Sequence, residues 1–309
     1  MSEVRVGVVG VGALGQQHAR VYSSLGARFI GAHDTDRARA EQVVGRFGGR
    51  AFPTLEALLD ETDAVSVAVP TVAHFVVAAA ALRAGKDVLV EKPITATLSE
   101  ADDLIALARE RDCVLQVGHI ERFNPATDVL RSAGGKPRFI EVHRLGAFSA
   151  RSLDIDVVLD LMVHDLDIVL ALDGSEPIQI EAVGIPVLTP RVDIANARLK
   201  FASGLIANLT ASRVSVEKIR KFRVFSPRTY VSADFAAREA QVYRLKDGGG
   251  GRPEIAAERM SAPDQEPLRR QLEAFLQAVR QRSQPVVGGL DGRRALALAQ
   301  AILARMAEA

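Results

Sequence analysis

Three residues have types and spacings suited to moving a proton: Lys92, Asp160 and His164. Lys92 lies in Val90-Glu91-Lys92-Pro93, directly after an apolar run that reads as a buried strand. In parallel sheets, ligands collect at the carboxyl ends of the strands, where this lysine falls. Pro93 fixes the backbone behind it, and X-Pro bonds are where cis peptides occur. Asp160 and His164 belong to Asp160-Leu161-Met162-Val163-His164-Asp165-Leu166-Asp167. Four apart on a helix, they share a face that Asp167 continues. A carboxylate beside an imidazole orients it and raises its basicity. Together such groups could take the proton of a secondary alcohol while hydride leaves the same carbon. Each motif also has a plain reading, a surface turn for Glu-Lys-Pro and a solvated polar stripe for the helix.

A hydride needs an acceptor, and the start of the chain supplies the elements to hold one. Gly10-Val11-Gly12-Ala13-Leu14-Gly15 spells G-x-G-x-x-G after the apolar run Val4 to Val9 and opens a helical segment. Gly10 makes the tight turn, Gly12 lets backbone approach a pyrophosphate, and Gly15 lets helix and strand pack closely. The pyrophosphate then sits at the helix N-terminus, where free N–H groups and the dipole favour negative charge. Roughly 20 residues on, the second strand candidate, Arg28 to Asp34, ends in a carboxylate placed to bind an adenosine ribose. Asp36 precedes the first basic residue, Arg37, and a second carboxylate repels a 2′-phosphate, so NAD is favoured over NADP. Beside an oxidised nicotinamide an ammonium is disfavoured, which predicts a lowered pKa for Lys92.

At 309 residues, the chain has room for two domains, each with its own core. A net charge of +1 gives no general attraction to nucleic acid or an anionic membrane. No recognition motif for nucleic acid occurs. The single cysteine, Cys113, excludes an intrachain disulfide and suits a reducing compartment. The start of the chain enters the first strand at once, so no signal peptide is expected. No apolar stretch reaches about 18 uncharged residues, so no membrane span is expected. The expected setting is the cytoplasm, and the residues call for no metal.

Along the first 120 residues, strand-like runs (Val65 to Val69, Val88 to Val90, Val114 to Val117) alternate with helical segments (Ala73 to Ala84, Ser99 to Arg111). Ser99 and Asp102 form an S-x-x-D helix start. From Pro137 the pattern becomes period-two β: Phe139 to Leu145, Ile178 to Val187, Val192 to Phe201, Leu205 to Ser212, Ile219 to Ser226 and Tyr230 to Phe235. A helix near Ile155 to Leu172 interrupts these runs. Gly248 to Gly251 reads as a turn. A stripe of Leu268, Leu272, Phe275, Leu276 and Val279 and an Ala-rich segment from Asp291 close the chain in helix.

Nearly the whole chain resembles the glucose–fructose oxidoreductase and inositol 2-dehydrogenase family (Gfo/Idh/MocA). The matching pieces are G-V-G-A-L-G-Q-Q-H from Gly10, V-A-V-P-T-V-A-H from Val67, A-G-K-D-V-L-V-E-K-P from Ala84, G-H-I-E-R-F-N-P from Gly118, D-L-M-V-H-D-L-D from Asp160 and E-P-L-R-R-Q-L-E-A-F from Glu266. The resemblance implies an α/β fold, with a Rossmann dinucleotide-binding domain over residues 1–120. It implies for residues 121–309 an α+β domain with a large, open, mostly antiparallel sheet, the C-terminal helices packing back on the Rossmann domain. It implies that Lys92, Asp160 and His164 are catalytic and that Pro70, Thr71, His74 and Glu91 line the cofactor cleft. It also implies a homodimer or homotetramer formed through the sheet. Met162 stands where the family usually has glycine, and the preceding Gly-Gly is absent, which predicts changed helix packing or a narrower pocket.

Arg213, Lys218, Arg220, Lys221 and Arg223 crowd two neighbouring β runs, with Lys221 and Arg223 on one strand face. The cluster could hold the diphosphate of a nucleotide sugar, or form a solvated strand face or the rim of a subunit interface. Residues 211–223 and G-H-I-E-R-F-N-P are similar to family members that oxidise UDP-N-acetylglucosamine at C3. On that reading Arg213, Lys221 and Arg223 contact the diphosphate, and Arg122 and Asn124 position the sugar. A free-sugar or inositol dehydrogenase would not need the cluster. An NAD-binding regulator would not need Lys92, Asp160 and His164 together.

Overall fold

The computed structural model describes residues 3–25, 27–133, 135–148, 155–247, 253–261 and 265–308. Within it the chain divides into two compact units, Met1–Ile120 with Glu266–Arg293, and Glu121–Gln265 with Arg294–Ala309. The Gly248 to Gly251 turn lies outside the described residues.

In the first unit, strands β1 (Arg5–Val9), β2 (Arg28–His33), β3 (Arg50–Ala51), β4 (Ala64–Val67), β5 (Asp87–Glu91) and β6 (Leu115–Gly118) form a parallel sheet in the order β3-β2-β1-β4-β5-β6. Helices α1 (Gly15–Tyr22), α2 (Arg37–Phe47), α3 (Leu55–Glu61), α4 (Thr71–Arg83) and α5 (Leu98–Glu110) make the crossovers. Val6, Val8, Val65, Val67, Val88 and Val90 are all fully buried, as strands covered on both faces must be. Chain direction of travel across the sheet reverses between β1 and β4, which opens a ligand crevice at the carboxyl ends of the strands.

The S-x-x-D start expected at Ser99 gives way to one two residues earlier. Thr97 caps α5: its Oγ1 accepts the Glu100 N–H at 3.3 Å, and Glu100 accepts the Thr97 N–H at 3.0 Å. That reciprocal pair satisfies two otherwise orphaned donors. Helix α8 follows later in the chain as Pro267–Gln281, and its predicted stripe lies in the core with Val6, Val8 and Tyr22. Burying Leu272 and Phe275 contributes about 1.5–3 kcal/mol each. Residues 266–293 therefore count with the first unit.

The second unit holds α6 (Pro125–Ala133) and α7 (Val163–Asp173), the latter entered through a π-helical turn, Val158–Met162. Its sheet comprises β7 (Phe139–Leu145), β8 (Pro177–Ile185), β9 (Ile194–Phe201), β10 (Ile206–Ser212), β11 (Ile219–Ser226), β12 (Thr229–Asp234), β13 (Glu239–Asp247) and β14 (Pro253–Ser261). The order is β14-β13-β12-β11-β7-β10-β9-β8, and only the β7–β10 pair is parallel. One face buries Ile140, Val142, Phe222 and Val224 against Val163, Leu166 and Val169 of α7. Ala295, Leu298, Ala299 and Ile302 of the last helix, α9 (Gly289–Ala307), join that core. Met162 is buried in it too, so the departure from glycine is absorbed in packing. Among the described residues, no helix is long and apolar enough to cross a membrane.

Candidate active site

The three glycines of the first loop do different things. Gly10 has φ +81° and donates its N–H to the His33 carbonyl at 2.8 Å, closing the turn after β1. A Cβ on Gly15 would lie 1.8 Å from the Gly10 carbonyl oxygen, so only glycine lets α1 start there. A Cβ on Gly12 meets nothing within 4 Å. It points into open space at the helix start, the cradle a pyrophosphate needs. Asp34 stands next to this loop, accepting the Val11 N–H at 2.8 Å and the Asp36 N–H at 2.8 Å. A cavity of about 450 Å³ is lined by Gly10, Gly12, Asp34, Thr35, Pro70 and Ala73, among others. The open cradle at Gly12 and the cavity beside Asp34 fit a dinucleotide such as NAD. Arg39 lies within 4 Å of both Asp34 and Asp36, so its charge is offset where a 2′-phosphate would need it.

Two substitutions separate these roles. Gly12→Val is expected to weaken NADH binding by more than about tenfold, read by NADH fluorescence, with the melting temperature unchanged. Gly15→Ala is expected to cost about 1–3 kcal/mol of stability, because main chain must move.

Lys92 leaves the end of β5 half-buried, followed by a cis peptide to Pro93. Glu91 beside it is buried, with Oε1 3.1 Å from His18 Nε2 of α1 and 3.3 Å from Gln271 Nε2 of α8. Its carboxylate also accepts the Lys92 main-chain N–H. Burial works against its charge, but His18, Gln271 and the Lys92 N–H overcome that and hold its pKa below the usual carboxylate range. A Cβ on Gly118 would come within 2.5 Å of this carboxylate. His74 of α4 is 1% exposed, and its ring nitrogens face the carbonyls of Pro93 at 2.8 Å and Val69 at 2.9 Å. Burial pushes its pKa down, against those two carbonyls and the charge of Glu91. The polar atoms of Glu91 and His74 are thus committed inside the protein, whereas Pro70 lines the cavity and Thr71 opens α4 beside it. A cavity of about 620 Å³ at the amino end of β6, lined by Arg109, Cys113 and Arg282, contains none of the predicted site residues.

In the second unit, Asp160 lies in the π-helical turn and His164 at the start of α7, both half-buried. The α-helix predicted over both residues therefore begins only at Val163. A wider π turn is frequent at functional sites. Asp165 follows His164 into the core and takes a bidentate pair from Arg144 of β7, both contacts 2.7 Å. Arg144 also reaches Glu121 at 3.0 Å. Burial works against the charge of Arg144, but the two carboxylates raise its pKa and keep it charged. Burial pushes the Asp165 pKa up, with Arg144 opposing. Arg122 Nε lies 3.8 Å from Asp167.

Four of the expected substrate contacts are corrected. Asn124 is buried and spends its amide on Glu121 at 3.0 Å, the Phe235 carbonyl at 3.2 Å and the Ala126 N–H at 3.1 Å, so it caps α6. Arg213 is buried against Asp193 at 2.8 Å and the Ile155 carbonyl at 2.8 Å, a structural tie. Lys221 and Arg223 do share a strand face, but the face opposite the one that carries α7. On β11 the buried positions are Phe222 and Val224, and Arg223 pairs across the open face with Glu141 at 2.6 Å. Arg220 of that run lies on the α7 face, 3.8 Å from Glu121.

Comparison with known proteins bears on the fold and the family. Residues 4–119 match an oxidoreductase family with an NAD-binding Rossmann fold, and residues 131–231 match the GFO/IDH/MocA C-terminal domain. The chain is 44% identical over 303 residues to UDP-N-acetylglucosamine 3-dehydrogenase of Acidithiobacillus ferrooxidans, covering 97% of this chain and 96% of that one. This chain belongs to the GFO/IDH/MocA family. A solved structure bearing that same enzyme's name matches with a TM-score of 0.94 at 42% identity, covering 99% of this chain and 98% of the other. An inositol 2-dehydrogenase of Rhizobium meliloti is 28% identical over 99% of this chain and 97% of its own length.

Membership makes the chain an oxidoreductase with an NAD-binding Rossmann fold. The sequence reading did not single out Arg144, Asp165, Glu121 or His18. Arg144 carried a signal: it continues the Ile140, Val142 alternation of β7, which places it on the buried face. His18 carried none beyond its position on the helix after the glycines.

Proposed function

We propose that this protein is an NAD-dependent dehydrogenase that oxidises the C3 hydroxyl of UDP-N-acetylglucosamine to the 3-keto sugar. The near full-length identity of 44% to an enzyme of that name carries the reading. Bound NAD would supply the acceptor for the hydride that leaves the carbinol carbon. The hydroxyl proton passes to Lys92 or His164, with Asp160 favouring the charged imidazole. Glycines 10, 12 and 15 and Asp34 hold the cofactor, and Pro70 and Thr71 border it. Arg122 positions the sugar. Of that basic run, Arg220, on the α7 face beside Glu121, contacts the diphosphate. Inositol oxidation is the second reading, favoured by the 28% identity to an inositol 2-dehydrogenase over almost the whole chain. Absorbance of reduced nicotinamide should rise with NAD and UDP-N-acetylglucosamine, and not with myo-inositol or glucose. Turnover of a free polyol alone would leave the oxidoreductase and remove the nucleotide sugar.

We further propose that copies join through the open face of the eight-stranded sheet and that the protein works in the cytoplasm, as its single cysteine suits. On that face Phe225 lies 5.6 Å from Phe139 and 4.7 Å from Tyr230, which stacks 5.4 Å from Tyr243. Such an aromatic strip beside Lys221 and the Arg223–Glu141 pair has the make-up of an interface core with a charged rim. The double change Lys221→Glu with Arg223→Glu should lower the mass seen by light scattering and leave KM for the sugar within about twofold. A steep rise in KM with unchanged mass would return those residues to the substrate site.

A further inference from the structure

Lys92 emerges from β5 between two buried anchors. On its amino side, the Glu91 carboxylate takes the Lys92 N–H and is itself held by His18 and Gln271. On its carboxyl side, the Pro93 carbonyl faces His74 Nδ1 at 2.8 Å, while Nε2 of the same ring faces the Val69 carbonyl at 2.9 Å. A carbonyl can only accept, and a neutral imidazole carries one N–H, so the neutral ring donates to one of these two carbonyls at a time; a proton on Nδ1 bonds the ring to Pro93. The His74 imidazole thus lies between the segment after Lys92 and the segment that leads into α4. His74 is 1% exposed, so neither bond is made to solvent. Its buried nitrogens have a fixed use that cofactor contact does not explain.

We propose that His74 is a positioning residue for Lys92, acting through the Pro93 carbonyl against the Glu91 anchor on the other side. A lysine side chain has several rotatable bonds, so its ammonium is placed only as well as the backbone beneath it. A misplacement of about 1 Å can cost about 100-fold in rate. The inference rests on Lys92 serving as an acid–base group of the proposed reaction.

Two variants divide the ring's bonds. His74→Asn keeps a donor near the Nδ1 position, toward Pro93, and His74→Gln keeps one near Nε2, toward Val69. The first readout needs no substrate: lysines are dimethylated with ¹³C, and the Lys92 resonance is assigned by its loss in Lys92→Arg. His74→Gln should shift or broaden that resonance, and His74→Asn should leave it as in the unsubstituted protein. The second readout is kinetic, with NAD and UDP-N-acetylglucosamine. His74→Gln should lower kcat about 100-fold with KM and NADH affinity within about twofold, and His74→Asn should restore most of the rate. A folded His74→Gln with an unchanged Lys92 resonance overturns the proposal, as does a folded His74→Asn that has lost it. Either variant decides alone if the other does not fold. Absence of any turnover in the unsubstituted protein would count against the proposed reaction, and the resonance would still judge the clamp.

Discussion

Lys92→Ala should abolish turnover, by about a thousandfold, and leave NADH affinity within about twofold. The size follows from what a positioned acid–base group supplies, about 10²–10⁴ in rate. The split follows from the architecture. Binding of the dinucleotide is assigned to the Gly10–Gly15 loop, Asp34 and the cavity they border, none of which depends on the Lys92 side chain. An interaction made only in the transition state lowers kcat and kcat/KM together and leaves ground-state binding alone. Lys92→Met should behave like Lys92→Ala, because the stem is kept and the charge lost. The melting temperature should stay constant in both, since Lys92 is half-buried and the main-chain bonds around it remain. Single-turnover absorbance with a saturating sugar and fluorescence titration with NADH make the two measurements. Retained turnover would remove Lys92 from the chemistry. His164→Ala measured alongside would show which of the two bases takes the proton, because the principal one should cost more.

The Rossmann half was readable because its signals are local. Fully buried parallel strands are continuous apolar runs, and the glycine spacing names the turn. The start of α5 misled because Ser99-x-x-Asp102 and Thr97-x-x-Glu100 obey the same grammar, and only backbone geometry chooses between them. In the second unit, alternation reveals β7, β9, β10 and β11, whose buried residues recur every second position. It does not reveal β13 and β14: β13 buries only Ala240 and Val242, and the described side chains of β14 are largely exposed. The basic run from Arg213 to Arg223 reads as one patch only while the chain is a line. Folding buries Arg213 on Asp193, sends Lys221 and Arg223 to the open face, and leaves Arg220 beside Glu121. The pairs His18–Glu91 in the first unit and Arg144–Asp165 in the second join residues far apart in sequence, where no local pattern reports them.

Arg144→Leu should destabilise the protein by about 3–5 kcal/mol, the cost of breaking a buried ion pair from one side. The side chains of Arg144, Asp165 and Glu121 are 5%, 2% and 9% exposed, so leucine leaves carboxylates with little water to replace the guanidinium. Shape is not the problem, since β7 already buries Ile140 and Val142 on that face. Charge is, and the pH dependence should show it. Burial already raises the Asp165 pKa above 3.8 with Arg144 opposing, and without Arg144 it must rise further. A carboxylate with a raised native pKa contributes stability below its unfolded pKa and loses it as pH rises through the native value. The deficit of Arg144→Leu relative to the unsubstituted protein should thus be largest at neutral pH and shrink as pH falls toward about 4. Urea titrations across that window would measure it. Replacing all three charges with Leu or Met of similar volume should recover most of the loss, because a buried pair as a whole is near neutral in stability. Activity should not recover with it. Asp165 adjoins His164 in sequence, and an α7 held by apolar contacts alone no longer has the bidentate bond that fixes the register of α7 on β7. A triple variant that regains stability and full kcat together would mean that the ion network serves the fold and nothing more.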